Sequence, residues 1–520
     1  MPIERFDYSK NNLSNLLIDC SKISRLVLNS KDIITYLFEY FEHFETKTII
    51  LEKHYIDDDF LTDYAGYYAQ CFKPYRKNCC RIHFFSINIS DSDIEKIILK
   101  KHELFNEKIL NEHYIGFIVI KPLPDTIIGR TYLKVYEEIN GRIYPIKRKY
   151  NVHLFGLDLF IKTLPFQEQD REISACATCA LWSTFHFTAL SRDFPNSILS
   201  PLEITKVAIN TYEYFLENLP NDGLDFDEIK RAINKIGLAA RFIEIKNPDV
   251  FKLAIYGYIT SEIPMILVVD LYDISQEPYE NIGTHAVVIT GYKICDKPYI
   301  HNALFDIMST SLFIDRIYVH DDRIGPFARM IFNKGTIEFD KKPCYTLSTS
   351  WKTKDKRDGL IVAKPDVLIV PLHNKIRVDI NDVSNIVDYF NAVFETIFFM
   401  IANRNKMYFK ERIIWDIKLV RGTDLKRTIS NDPSIQNTFK IEFLKNDLPQ
   451  FLWVAAAYYY RKKSLELLFD ASDIKQGTKF HSSILYNNDI YRVINCGLRN
   501  NLIKDTLEIK SEWEILKNFI

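Results

Sequence analysis

Three residues of types that together perform nucleophilic catalysis follow one another along the chain, namely Cys176, His285 and Asp321. A thiol nucleophile needs a base within reach, a group that orients the base, and donors for the oxyanion formed at the attacked carbonyl. Ser174 is predicted to cap a helix, whose first-turn N–H groups and dipole favour a thiolate. Cys176 falls in that first turn and Cys179 lies almost one turn deeper. We therefore predict Cys176 as the nucleophile, with Cys179 as the alternative.

The predicted base, His285, begins the apolar run Ala286–Tyr292, which is typical of a strand buried on both faces. A histidine at the mouth of such a strand is held rigidly, as a general base must be. A second predicted strand ends at Asp321, whose carboxylate is placed to orient the imidazole, with Asp322 as the alternative. A half-exposed histidine and a surface carboxylate are the ordinary interpretations of these residues taken singly. Their joint placement favours catalysis.

Two glutamines precede the predicted helix, in Phe166-Gln167-Glu168-Gln169-Asp170. A side-chain amide there can complete an oxyanion hole together with the backbone N–H of the cysteine. Gln169 lies seven residues before Cys176, and Gln167 lies nine residues before it. Spacing alone does not decide which of the two glutamines is the oxyanion donor.

The elements that must position these residues lie between residues 151 and 345. A capping box at Ser200–Glu203 opens one helix, and Asp225 opens another that ends at Gly237. Strands are predicted at Met265–Val269, Ala286–Tyr292 and Phe313–His320. Helices followed by strands indicate an α+β fold for this central region.

Two further modules flank the central region. Residues 1–150 are predicted to form an α/β module of unknown role. Its predicted strands are Thr48–Leu51, Arg81–Ile87 and Tyr114–Ile120, and its predicted helix is Asp93–Lys101. Residues 346–520 are predicted to form a second α/β module, a candidate substrate, partner or regulatory region. Its predicted elements are a strand at Val367–Val370 and helices at Val383–Ala402 and Leu452–Arg461.

Composition narrows the class of protein. The net charge of −1 with no run of like charges does not indicate a nucleic-acid partner. We expect no membrane association, since there is no export signal and no stretch of 18 uncharged apolar residues. Nine scattered cysteines indicate reduced thiols in the cytoplasm. No cofactor is expected, and no metal, because Cys176-x-x-Cys179 lacks a second ligand pair.

The order Cys176-Ala177-Thr178-Cys179, then His285–Tyr292, then Val319-His320-Asp321 resembles the papain-like cysteine peptidases. It is most similar to the bacteriocin-processing peptidases that cleave double-glycine leaders, over about residues 165–330. The resemblance implies a papain-like α+β core with Cys176 as nucleophile, His285 as base, Asp321 as orienting residue and Gln169 as oxyanion donor. This sequence departs from the family in lacking Gly after the cysteine, in the spacing of the glutamine, and in having Asp322 after Asp321. A plain papain alignment would instead make Cys179 the nucleophile.

The resemblance implies a cytosolic cysteine peptidase that hydrolyses a peptide or isopeptide bond through a thioester. Its partners would be a protein or peptide substrate and a regulatory protein, as in a triggered effector, toxin or defence protease. An acyltransferase or transglutaminase-like enzyme can use the same triad, because the pocket and not the triad selects the acceptor. A non-catalytic interaction protein that keeps the fold is the third hypothesis.

Overall fold

The computed structural model describes residues 3–99, 106–170, 172, 175–189, 198–210, 223–296, 307–339, 341–351, 360–405, 412–472 and 480–486. Ser174, the predicted helix cap, and Cys496 lie outside these residues. The chain divides into two compact units: the first is Met1–Glu244, Pro264–Lys293 and Arg316–Pro371, and the second is Ile245–Ile263, Ile294–Asp315 and Leu372–Ile520. These interleaved units do not coincide with the three sequential modules 1–150, 151–345 and 346–520 drawn from the sequence.

The N-terminal part of the first unit is built on a five-stranded antiparallel sheet. Its strands, which follow chain order, are β1 (Ile3–Asp7), β2 (Thr48–Tyr55), β3 (Cys79–Phe85), β4 (Tyr114–Ile120) and β5 (Ile128–Leu133). One face packs on helices α1 (Lys10–Ser21), α2 (Arg25–Ser30) and α3 (Asp32–His43). The other face is covered by α4 (Asp58–Gly66), α5 (Asp91–Ile98), α6 (Glu107–His113) and the hairpin of β7 (Arg148–Leu154) and β8 (Leu157–Thr163). Since every described strand pair is antiparallel, this part is α+β and not a parallel α/β arrangement.

The rest of the first unit combines helices with a closed sheet. The helices are α7 (Cys176–Ala189), α8 (Pro201–Ile209) and α9 (Phe226–Lys235). The sheet runs in the order β10 (Met265–Asp273), β11 (Glu280–Ile294), β13 (Ile314–Asp321), β14 (Gly325–Phe332), β17 (Leu347–Ser348) and β18 (Ile361–His373). Because β18 also pairs with β10, these six strands form a ring. Four further strands complete the unit: β6 (Arg142–Ile143), β9 (Leu238–Glu244), β15 (Ile337–Phe339) and β16 (Lys342–Cys344), of which the last two form a hairpin.

The second unit contains one mixed sheet with helices. Its strand order is β12 (Met308–Ser309), β19 (Ile414–Arg421), β20 (Phe451–Tyr459), β21 (Lys462–Asp470) and β22 (Phe480–Leu485). Its helices are α10 (Pro248–Ile259), α11 (Ile380–Asn405), α12 (Gly422–Asn431) and α13 (Asn437–Lys445). Among the described residues, no helix combines the length and the apolar character that crossing a bilayer requires.

The capped elements agree with the sequence. The structure contains the predicted capping box at Ser200 with Glu203, and the helix predicted to start at Asp225 is likewise capped by a box, with Glu228. A cap is a local hydrogen-bond pattern and can therefore be read without the tertiary fold.

One predicted element is wrong. Leu452–Arg461 was expected to be a helix, but Phe451–Tyr459 is the strand β20. The strand is buried on both faces through Ala457, so its apolar run is continuous and has no alternation that separates it from a buried helix. Pairing with β19 and β21 on both edges overrides the helix propensity of its three consecutive alanines.

Candidate active site

Cys176 is the first residue of helix α7 and is partly exposed, whereas residues 177–189 of the same helix are all buried. A helix that is apolar on every side is typical of a core position. Trp182 anchors it by donating its indole N–H to Asp59 at 3.0 Å. The thiol therefore lies at the N-terminus of a fixed helix, where the backbone N–H groups have no partner within the helix and the dipole favours a negative charge.

His285 lies inside strand β11, where it is the first buried residue after five exposed ones. The prediction that it stands at the mouth of a strand needs correction, because the strand begins at Glu280 and His285 pairs with Val269 of β10. A register shift lies opposite Gly283, whose φ of +119° is a conformation that L side chains rarely adopt. The resulting bulge sits two residues before the imidazole, and bulges of this kind re-aim a side chain.

Asp321 ends β13, as the sequence predicted, and is completely buried beside His285. Its Oδ1 accepts from Nε2 of His285 at 3.0 Å and from the backbone N–H of Arg323 at 2.9 Å. Its Oδ2 accepts from the indole N–H of Trp351 at 2.9 Å. With donors on both oxygens, the carboxylate is held in one orientation toward the imidazole.

Asp322 places a second buried carboxylate at the same imidazole, with its Oδ1 3.5 Å from Nε2 of His285. Neither of its oxygens has a hydrogen-bond partner among the described residues. Burial raises the pKa of Asp322 to about 6, because the charged form is desolvated and Asp321 lies close by. The two neighbouring aspartates therefore differ: Asp321 is held by hydrogen bonds, and Asp322 supplies charge without them.

The electrostatics favour a charged imidazole. Burial by itself lowers the pKa of His285, but the negative charges of Asp321 and Asp322 and the hydrogen bonds to Asp321 and Cys176 raise the pKa well above its ordinary value. Conversely, burial alone would raise the pKa of Asp321, and the charge and hydrogen bond of His285 hold it below its ordinary value. Since Nε2 faces the carboxylates, Nδ1 is the ring nitrogen left for the thiol.

Of the two glutamines, Gln167 and not Gln169 points into the site. Phe166 forms a β-bridge with Thr131, and the N–H of Glu168 bonds to the carbonyl of Ile128 at 3.0 Å. These bonds on either side fix the backbone of Gln167. Its side chain is buried, and its Nε2 has no hydrogen-bond partner among the described residues. Gln169 is only half-buried.

A small cavity lies beside Cys176, Gln167 and Asp322. It has a volume of about 10 Å³ and is lined by Phe166, Gln167, Cys176, Cys179, Ala180, Ser183, Ala286, Val288, His320 and Asp322. This is about the space that one water-sized group occupies. Gln169 does not line it. The geometry therefore replaces Gln169 by Gln167 as the candidate oxyanion donor and leaves the other predicted residues together.

Cys179, the alternative nucleophile, also borders the cavity but is only 5% exposed, deeper in α7. The hydrogen bond to His285 comes from Cys176. His285, Asp321 and Asp322 offer one ligand atom each within 4.8 Å of one another, a geometry that could hold a cation. However, Asp321 already accepts N–H donors on both oxygens, and these would compete with a metal.

Trp351 was not predicted from the sequence. Its indole N–H bonds to Asp321, and its ring lies edge-on to His285, with centroids 6.2 Å apart. In the sequence it lies between strands β17 and β18, and no spacing or motif links it to Cys176. A single tryptophan gives no sign of this role in the sequence, because it reaches Asp321 only when the six strands have closed into a ring.

Comparison with protein-family models and with curated proteins found no match to this chain. The site is therefore interpreted on its geometry and chemistry alone.

Proposed function

We propose that the chain is a papain-like cysteine peptidase of the cytoplasm, which hydrolyses a peptide or isopeptide bond through a thioester. The observation that carries the proposal is the bond from the imidazole of His285 to the carboxylate of Asp321 at 3.0 Å, with the thiol of Cys176 as a further partner that raises the pKa of the same imidazole. The three side chains come from three elements far apart in sequence. Each occupies the role that a nucleophile, a base and an orienting group require.

In the acylation step, Sγ of Cys176 attacks the carbonyl carbon and the carbonyl electrons move to oxygen. The elevated pKa of His285 keeps its proton available, and Nδ1 donates that proton to the leaving amine as the carbon–nitrogen bond breaks. The product is a thioester on Cys176. Asp321 keeps the proton on Nε2 and fixes the ring orientation.

In the second step, His285 takes a proton from water, and the hydroxide attacks the thioester carbon. The carbon–sulfur bond breaks, releasing the carboxylic acid and restoring the thiol. In both steps the negative oxygen is stabilised by the amide of Gln167 and the backbone N–H at the start of α7. A carbonyl oxygen is close in size to the space of about 10 Å³ that the cavity offers.

The direct test is mass-spectrometric mapping of all cysteines after low-dose iodoacetamide at neutral pH. We expect Cys176 to be alkylated first. Cys344 is the matched control within the chain, because it is also partly exposed but has no imidazole partner among the described residues. In a separate sample, the unlabelled protein should form a thioester on Cys176 with p-nitrophenyl acetate, a generic acyl donor.

Equal labelling of Cys176 and Cys344 would overturn the proposal. Preferential labelling of Cys179 would leave the proposed fold unchanged and identify Cys179 as the nucleophile. Acyl transfer to an added amine in preference to water would redirect the proposal toward an acyltransferase that uses the same three residues.

A further inference from the structure

A second pair of cysteines lies in the N-terminal part of the first unit, apart from the candidate active site. Cys20 and Cys80 both line a cleft of about 890 Å³ between helix α1 and strands β2 and β3. Both also belong to the packing on the helix-covered face of the sheet. Neither residue has a part in the proposed peptidase chemistry.

The fold brings the two thiols together. Alternate residues of β3 face opposite ways, so Cys80 points toward the helices while Cys79 packs on the other side of the sheet. Cys20 lies in the last turn of α1 and faces the same layer. The two thiols are within hydrogen-bonding reach of each other.

A bulge opens the sheet beside Cys80. The pairing of β2 with β3 shifts register between Glu52 and Tyr55, opposite Cys79 and Arg81. His54 has a φ of +61° at this point, and both Lys53 and His54 line the cleft. The interruption lies opposite Cys80, which is partly exposed, whereas Cys20 is buried.

The surroundings make the two thiols unequal. The hydrogen bond from Cys20 is the main cause that lowers the pKa of Cys80, and the positive charges of Lys53, Arg76 and Lys22 add to it. The same hydrogen bond, together with burial, raises the pKa of Cys20. The position of Cys20 at a helix C-terminus also disfavours negative charge there.

The cleft also carries acidic groups, Glu4 and Asp19. Glu4 is paired with Lys53 at 2.5 Å, and Asp19 offsets one of the three charges of Lys22, Arg76 and Lys77, so the residues that line the cleft carry an excess of two positive charges. An anionic ligand is therefore attracted to the exposed side of Cys80.

We propose that Cys80 and Cys20 form a thiol–disulfide exchange site for a small anionic disulfide. The thiolate of Cys80 attacks one sulfur of the ligand, forming a mixed disulfide and releasing one ligand thiolate. Cys20 then attacks the sulfur of Cys80, forming the Cys20–Cys80 disulfide and releasing the second thiolate. The two protons of the protein thiols pass to the two released thiols, so that the protein is oxidised by two electrons and the ligand is reduced by two.

The test uses the reduced full-length chain and its Cys176→Ala variant, so that the candidate nucleophile does not compete. Oxidised glutathione serves as the anionic disulfide and cystamine as a cationic disulfide, at equal concentration. After acid quenching and alkylation of free thiols, peptide mapping should show the Cys20–Cys80 disulfide. It should form at least about fivefold faster with oxidised glutathione than with cystamine.

Variants separate the two thiols. Cys20→Ser should trap the glutathione adduct on Cys80, and Cys80→Ser should leave Cys20 unmodified. Arg76→Gln should reduce the preference for glutathione over cystamine. Cys71 is the control thiol, since burial raises its pKa and it lies outside the cleft.

The proposal is overturned if Cys20 forms the adduct in the Cys80→Ser variant, or if cystamine reacts as fast as glutathione. Equal modification of Cys71 and Cys80 would likewise contradict it. None of these outcomes bears on the proposed peptidase, because the cleft and the active site share no residue.

Discussion

The two thiol regions of the first unit differ in what faces the reactive sulfur. Cys176 meets an imidazole backed by two buried carboxylates, beside a cavity of about 10 Å³. Cys80 meets a second thiol and several cations, in a cleft of about 890 Å³. In the larger space, therefore, the partner of the reactive sulfur is a second thiol and not an imidazole.

The difference shows that chemistry follows the neighbours of a thiol and not the size of the space around it. An imidazole can receive and return a proton, so its cysteine can act on a carbonyl. A second thiol can only close a disulfide, so its cysteine is suited to exchange. Reactions that need one environment but not the other can therefore separate the two regions.

The largest separation is expected for His285→Ala. Without the imidazole, Cys176 should be alkylated about 100-fold more slowly at neutral pH, because the base that assists the thiol is lost. Alkylation of Cys80 should not change. The measurement is the rate of iodoacetamide labelling at each site, followed by mass spectrometry.

This substitution leaves two buried carboxylates unpaired, so folding must be followed in the same experiment. Cys79 and Cys179 are both buried and serve as reporters, since they are labelled only if the chain opens. His285→Gln, which keeps a polar group beside Asp321, is the second variant. Unchanged labelling of Cys176 in both folded variants would contradict the triad.

Gln167→Ala should slow acylation of Cys176 by p-nitrophenyl acetate about 100-fold, because an oxyanion donor is lost. Alkylation by iodoacetamide forms no oxyanion and should be unaffected. Gln169→Ala is the matched control and should change neither rate. If Gln169→Ala has the larger effect, the donor predicted from the family resemblance is right and the assignment from geometry is wrong.

A smaller effect, about fivefold, is expected for Trp351→Phe, which removes the indole donor to Asp321 but keeps an aromatic ring. We expect slower acylation and a shift of the acylation pH profile, since the carboxylate that supports His285 loses a hydrogen bond. Trp415→Phe is the control: it also removes a buried indole hydrogen bond, to Asn391 in the second unit. Equal effects of both variants would indicate a general loss of stability.

The last prediction concerns stability, for which the adjacent residues Asp321 and Asp322 should behave in opposite ways. The pKa of Asp322 is raised to about 6, so the folded chain holds a proton between about pH 4 and pH 6 that the unfolded chain has lost, and its stability falls as pH rises through this window. Asp322→Asn should therefore raise the free energy of unfolding at pH 7 by about 2 kcal/mol, with no gain below pH 4.

Asp321→Asn is the comparison variant. The pKa of Asp321 is lowered, so its carboxylate adds stability above its ordinary pKa and loses it as pH falls. Urea unfolding at pH 4 and pH 7 measures both. A loss of stability at pH 7 in Asp322→Asn would mean that its attraction to His285 exceeds the cost of burial.

Locally encoded features were predicted well. The capping box at Ser200, the helix start at Asp225 and the strand Tyr114–Ile120 appear where the sequence placed them. Strand β20 was mistaken for a helix, because an apolar run buried on both faces has no period. The division into units could not be predicted, since each unit is assembled from segments that are separated in sequence.

The sequence by itself determined the chemistry available: a cysteine at a helix start, a histidine in a buried strand and an aspartate at a strand end, whose joint roles depend on residue type and local pattern. Only the tertiary structure decided which glutamine faces Cys176, that Trp351 holds Asp321, and that Cys20 meets Cys80. These are contacts between segments far apart along the chain. They depend on the direction of each side chain in the closed ring or packed sheet, which no local pattern specifies.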